Sequence, residues 1–222
     1  MKVHNEKELD IAFKATFSQG FFATVTFSTY LVHTPILFQL IEMTESEFAL
    51  GFVIFGIFNV ITNQLTTRFL LPKIGSTNCL ILARLMYSFI PFLIFYTASY
   101  NVFILLSIFW GITIGIQAPN IFTQVAIIEE KTKKILNPIF KSSFSLGFIV
   151  GGGISSLAMG LEISPVFTTF CTGSFVFVSS ISMFYFGLSR KHDIRNENPR
   201  FSFPNSKILM FASINMFIFF IF

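Results

Sequence analysis

The chain has 222 residues, 53% of them hydrophobic and only 12% charged, with a formal net charge of +4 and a mean hydropathy of +0.73. A soluble globular domain carries about one-quarter charged residues, so a soluble fold is the wrong starting class and a membrane protein is indicated. The 33 phenylalanines are read as compositional bias, and Cys79 and Cys171, inside apolar stretches without metal-ligand spacing, as small buried hydrophobes.

A helix needs about 20 apolar residues to cross a bilayer core about 30 Å thick. That length predicts six spans, at roughly 11–32, 48–67, 77–98, 101–126, 139–161 and 164–188. Glu6, Glu8 and Asp10 precede the first, which lacks a small-residue cleavage site and therefore reads as a true span. Thr44 and Glu47 spell a capping box ahead of the second span, residues Pro72 to Ser76 are expected to break the chain after it, and Asn137-Pro138 opens the fifth. The polar stretch 189–206, with Arg190, Lys191, Arg195 and Arg200, reads as a solvated basic linker. Residues 207–222 read as the truncated start of a seventh span, so a fragment of a longer, twelve-helix protein is expected.

The predicted organisation is thus all-α: a six-helix bundle over 1–188, a linker over 189–206 and a partial helix over 207–222. Basic residues near helix ends are retained on the cytoplasmic side. With the amino terminus inside, every Lys and Arg falls on inner loops or inner helix halves, while His33, Glu42, Glu45, Glu47 and Glu162 fall outside. Both the amino terminus and the linker are then cytoplasmic. The positive charge serves topology in a lipid bilayer, and nucleic-acid binding is not expected.

Two helices carry polar stripes. Gln19, Ala23, Thr26, Tyr30 and His33 share one face of the first span, and Thr113, Gln117, Asn120 and Gln124 share one face of the fourth. Uncharged hydrogen-bonding groups in lipid face a watery cavity or another helix. The cavity reading makes Gln19, Thr26, Tyr30, Gln117, Asn120 and Gln124 contacts for a small polar, sugar-like solute, and the packing reading makes them bonds between helices. Arg84 lies about seven residues into the third span, where a charge is costly. Snorkelling to the inner face and an ion-pair or substrate role both stand for it, with Glu129 and Glu130 as possible partners or as members of a solvated cluster with Lys131 to Lys134. Gly147, Gly151, Gly152 and Gly153 are expected to let the fifth helix pack tightly.

Three stretches resemble the major facilitator superfamily. Leu71-Pro72-Lys73-Ile74-Gly75-Ser76 is similar to its signature between helices two and three, with Lys73 and Gly75 fitting, Pro72 in place of Asp and Arg68 in place of the first Gly. Asn120, Gln124, Glu129, Phe144 to Gly147 and Gly151 to Gly153 look like helices four and five of a fucose-permease-like bacterial inner-membrane subgroup, and His33-Thr34-Pro35 with Leu50-Gly51 resembles its first-loop pattern. The resemblance implies two inverted three-helix repeats, substrate held near the midplane and alternating access. It also implies gating or ion-pair roles for Lys73, Gly75, Arg84 and Glu129, and a second half-transporter or a homodimer as partner. No nucleophile with its base, metal spacing or phosphate-cradling loop is present, so neither an enzyme nor a cofactor is expected. A non-transporting half-transporter remnant or a self-assembling six-helix scaffold is the competing reading.

Overall fold

The computed structural model describes the backbone of residues 2–189 and side chains from residue 6 onward; the linker beyond Ser189 and the expected seventh span lie outside the described residues. Every regular element among them is helical. In chain order these are α1 (Lys2–Val32), α2 (Thr34–Ile41), α3 (Glu45–Leu65), one π-helical turn (Thr66–Leu70), α4 (Leu71–Ile74), α5 (Ser76–Tyr87), α6 (Ile90–Thr97), α7 (Tyr100–Thr132), α8 (Asn137–Gly160) and α9 (Pro165–Phe186). Five helical runs are long and apolar enough to cross a membrane: 45–74, 76–97, 100–132, 137–160 and 165–186. A sixth is reached if α1 and α2, bent by 53° at their junction, make one span. The chain therefore has the build of a multi-pass membrane protein.

Local sequence sets the breaks, with some departures from expectation. Thr44 caps α3 as expected, its side chain accepting from the Glu47 N–H while the Glu47 carboxylate accepts from the Thr44 N–H at 2.8 Å. The first helix begins earlier, at Lys2, and ends at Val32 as expected; a separate α2 follows, with Pro35 near its first turn, where a missing N–H costs little. The expected break from Pro72 to Ser76 narrows to Gly75, whose φ of 82° suits a residue without a Cβ. Pro72 stays helical, and the π-helical turn before it accommodates the ring. Asn137-Pro138 opens α8 as read from sequence. The fourth span runs to Thr132 rather than 126, which keeps Glu129 helical.

Two pairs of helices approach until backbone meets backbone. A Cβ on Gly147 would fall 2.6 Å from the Phe21 carbonyl of α1, and one on Gly151 would overlap the Val25 carbonyl a turn further along. The partners advance together, so α1 and α8 run parallel. On the other side, a Cβ on Gly111 would overlap the Phe55 carbonyl of α3, and one on Gly115 would fall 2.6 Å from the Asn59 carbonyl. Thus α3 and α7 are parallel too. Both contacts use glycines four residues apart, the spacing that lets membrane helices pack closely where lipid supplies no hydrophobic drive. Gly153 meets nothing within 4 Å, and Gly152 reaches only the Ser28 hydroxyl at 3.6 Å, so Gly147 and Gly151 carry the packing expected of all four. Between these pairs, α9 packs on α5 and α6, and its Gly173 meets the Ser88 carbonyl at their junction.

This packing sets a test. Gly151→Ala forces a methyl into the α1 backbone and is expected to cost about 1–3 kcal/mol, the usual penalty for overpacking. Gly153→Ala adds its methyl to open space and should leave the melting temperature of the detergent-solubilised protein unchanged or slightly raised. Equal melting of the two variants would refute the contact.

Candidate functional site

Two contacts fix the register of α1, α5 and α7. Near one end, Thr16 donates to the Gln124 carbonyl oxygen at 2.9 Å, the Gln124 amide donates to Thr77 at 3.1 Å, and Thr77 donates to the Leu188 carbonyl at 2.6 Å. This chain of bonds ties α1, α7, α5 and the segment after α9. Fourteen residues on in α1 (16 to 30) and fourteen back in α7 (124 to 110), the Tyr30 and Trp110 rings meet edge to face at 4.8 Å. Both α1 and α5 therefore run antiparallel to α7, with two fixed points about 21 Å apart.

Trp110 gathers the aromatic side chains around it. Its ring lies 5.8 Å from Phe27, 6.2 Å from Phe55 and 6.1 Å from Tyr87, joining α1, α3 and α5 to α7. Tyr87 is itself held by donating its hydroxyl to the Ala23 carbonyl at 2.9 Å. Between this cluster and the Gln124 bonds lies an open cavity of about 400 Å³. Its wall is largely aromatic, with Phe27, Tyr87, Trp110, Phe122, Phe144 and Phe148 among the lining residues. Its polar side chains are Thr24, Arg84 and Gln117, and Ala23, Ile114, Ala118 and Ile121 fill between them.

Arg84 sits eight residues past Ser76 in the 76–97 span, about 12 Å along it, and is only 3% exposed. Its Nε and Nη1 atoms are buried without a hydrogen-bond partner, and its nearest ring is Tyr87, whose centroid lies 5.8 Å from the guanidinium carbon. The guanidinium therefore does not snorkel out of the bundle. Of the two readings left open for Glu129, pairing with Arg84 is absent, for reasons of register. With Thr77 beside Gln124, seven residues on in α5 bring Arg84 level with Gln117, seven back in α7. Glu129 lies twelve residues beyond Gln117, about 18 Å along the axis. Its carboxylate instead accepts from the Leu136 and Asn137 N–H groups at 2.9 and 3.3 Å, closing the turn into α8.

The other sequence-predicted residues separate into groups. Gln117 alone of the six expected solute contacts lines the cavity, and its Nε2 is buried without a partner. Gln19 and Asn120 are buried outside the lining, Gln19 with both amide atoms unpartnered and Asn120 donating to the Ile116 carbonyl. Thr26 donates to the Phe22 carbonyl of its own helix at 3.1 Å, Tyr30 packs on Trp110, and Gln124 spends both ends of its amide on neighbouring helices. Lys73 and Gly75 lie at the turn between α4 and α5, away from the cavity. Trp110 and Tyr87 were missed by sequence reasoning, yet a signal existed. Trp110 is the only tryptophan and precedes Gln117 by two helical turns, and Tyr87 lies one turn past Arg84.

The Gln124 bonds set a second test. Hydrogen bonds between membrane helices average about 0.6 kcal/mol and reach about 1.7. A double-mutant cycle of Thr16→Val and Gln124→Leu, read by unfolding in mixed micelles, is expected to give a coupling energy in that range, and purely additive effects would show that the bond contributes nothing. No known protein family, curated protein or solved structure matches this chain, so the meaning of the cavity rests on the residues that line it.

Proposed function

We propose that the chain forms a six-helix transport bundle of major-facilitator type, which moves a small polar solute across a membrane by alternating access. The observation that carries this reading is the cavity beside Arg84 and Gln117, about midway along their spans and lined from α1, α3, α5, α7 and α8. A concave, largely apolar site with few converging polar groups is the usual form of a small-molecule site. The pattern of helix neighbours supports the reading. Counting spans in order, the first packs on the fifth and sixth as the fourth packs on the second and third. Exchanging first with fourth, second with fifth and third with sixth leaves that pattern unchanged, as two inverted three-helix repeats require.

Charge supports a cytoplasmic placement of the end that holds Lys7, Arg68, Lys73, Lys131, Lys133 and Lys134, while Glu42, Glu45, Glu47 and Glu162 lie at the other. A bacterial inner membrane fits the subgroup resemblance. The apolar surfaces of α3 and α8 flank the cavity, with Val53, Ile57, Leu146 and Ile149 exposed. In the proposed protein a second six-helix bundle, either another half or a second copy, covers these surfaces and completes the site.

Transport requires water to reach the cavity in the membrane. In a chain with Cys79 and Cys171 replaced by serine, Ala118→Cys in the cavity wall is expected to react with a charged, membrane-impermeant thiol reagent in native membranes. Val178→Cys, on the 64% exposed outer surface of α9, should stay unreactive in lipid. Ala118→Cys as inert as Val178→Cys would end the transport reading.

A further inference from the structure

Accepting the transport reading, we infer that the solute is an organic carboxylate with an aromatic or branched apolar body, its carboxylate held by Arg84 and Gln117 and its body by the rings around Trp110. The donors come first. Arg84 Nε and Nη1 and Gln117 Nε2 are all buried without partners, and both residues line the same cavity. Their helices are antiparallel and held in register by the Gln124 to Thr77 bond, which brings the two side chains level. Among the described residues no carboxylate lines this cavity. The acidic side chains of the described residues lie toward the two ends of the bundle, and Glu129, the one nearest by sequence argument, is engaged at the α8 turn.

A guanidinium with unpartnered N–H donors and a fixed positive charge matches a carboxylate better than any neutral group, because each bond to it is charge-assisted. A third donor, from Gln117, lies level with it just beneath the largely apolar wall of the same cavity. A neutral sugar finds acceptors in the Gln117 amide oxygen and the Thr24 hydroxyl but leaves the buried charge of Arg84 uncompensated. The wall decides the rest of the ligand. Phe27, Phe55, Tyr87, Trp110 and Phe122 line it alongside the donors, and the volume of about 400 Å³ lies within the about 300–1,000 Å³ of small-molecule sites. An inorganic anion would leave this aromatic surface unused. The proposed solute is therefore anionic at one end and apolar at the other.

The lone tryptophan makes occupancy measurable. The full chain, purified in a neutral detergent, is titrated with 4-nitrobenzoate, which quenches indole fluorescence at short range, and in parallel with the neutral isostere 4-nitrobenzamide. Saturable quenching of Trp110 by nitrobenzoate is expected, at least about tenfold tighter than by the amide, a difference of about 1.4 kcal/mol. Non-absorbing benzoate should reverse it. Arg84→Gln should remove the preference for the anion, Arg84→Lys should keep part of it, and Arg68→Gln, remote from the cavity, should change nothing. The unquenched emission maximum and melting temperature of Arg84→Gln check its fold, and benzoate's competition in the unaltered protein stands even if that variant fails to fold. Equal quenching by acid and amide would overturn the carboxylate assignment while leaving a solute cavity. Absence of saturable quenching by either would count against the cavity itself. Displacement of nitrobenzoate by phosphatidylglycerol but not by benzoate would assign the anion site to a lipid headgroup and overturn the solute proposal.

Discussion

Close approach of α1 to α8 and of α3 to α7 is the constraint from which the rest of the bundle follows. In lipid, apolar side chains gain little by leaving the solvent, so helix association rests on packing density and hydrogen bonds. Gly147 and Gly151 in one pair, and Gly111 and Gly115 in the other, remove the side chains that would keep the backbones apart. With each pair parallel, α1 and α7 meet antiparallel along one line of contact, from Thr16 and Gln124 to Tyr30 and Trp110. The cavity opens beside that line. Its aromatic lining is thus a consequence of where the pairs place Phe27, Phe55 and Trp110, and a bulkier residue at any of the four glycines would move a wall of the site.

The glycines also qualify the symmetry of the proposed repeat. If α1 corresponds to α7 and α3 to α8, the two close contacts are equivalent in position but not in chemistry. One takes its glycines from α8, the partner of the cavity-lining α1, and the other takes them from the cavity-lining α7 itself. Close packing requires only that one helix of each pair be bare, and either satisfies it. The proposed repeat would thus rest on the arrangement of neighbours and not on the order of residues.

Much of the fold was legible in the sequence because apolar length and capping chemistry act locally. The capping box at Thr44 and the proline that opens α8 lie where residue chemistry places them. The second, bent helix after α1 was not legible, since the length of about 20 residues needed to cross the bilayer is already reached by Val32. His33 is wholly buried there, its ring Nδ1 2.8 Å from the Thr29 carbonyl oxygen. The site was legible in part. The polar stripes were correctly seen as faces that avoid lipid, but a face about 100° wide meets more than one neighbour. Thr16 and Thr77 divert Gln124 to packing, whereas Gln117, two turns away on the same stripe, is left to the cavity. Nothing within a single helix distinguishes the two fates.

Arg84 shows why the distinction matters for function. A charge near the bilayer centre costs about 2.5–3.5 kcal/mol even on the insertion scale that rates it lowest. A helix that needed only an apolar face would be better served by leucine at this position. Tyr87 offers partial compensation, since a cation within about 6 Å of an aromatic face is attracted by roughly 0.5–2 kcal/mol depending on desolvation. That attraction does not satisfy the two free N–H donors, and each buried, unpaired donor carries a further penalty of about 1–3 kcal/mol. The buried guanidinium is therefore held at a cost that a hydrogen-bond acceptor would relieve. In the proposed transporter the same imbalance would make binding sensitive to the loss of this one side chain.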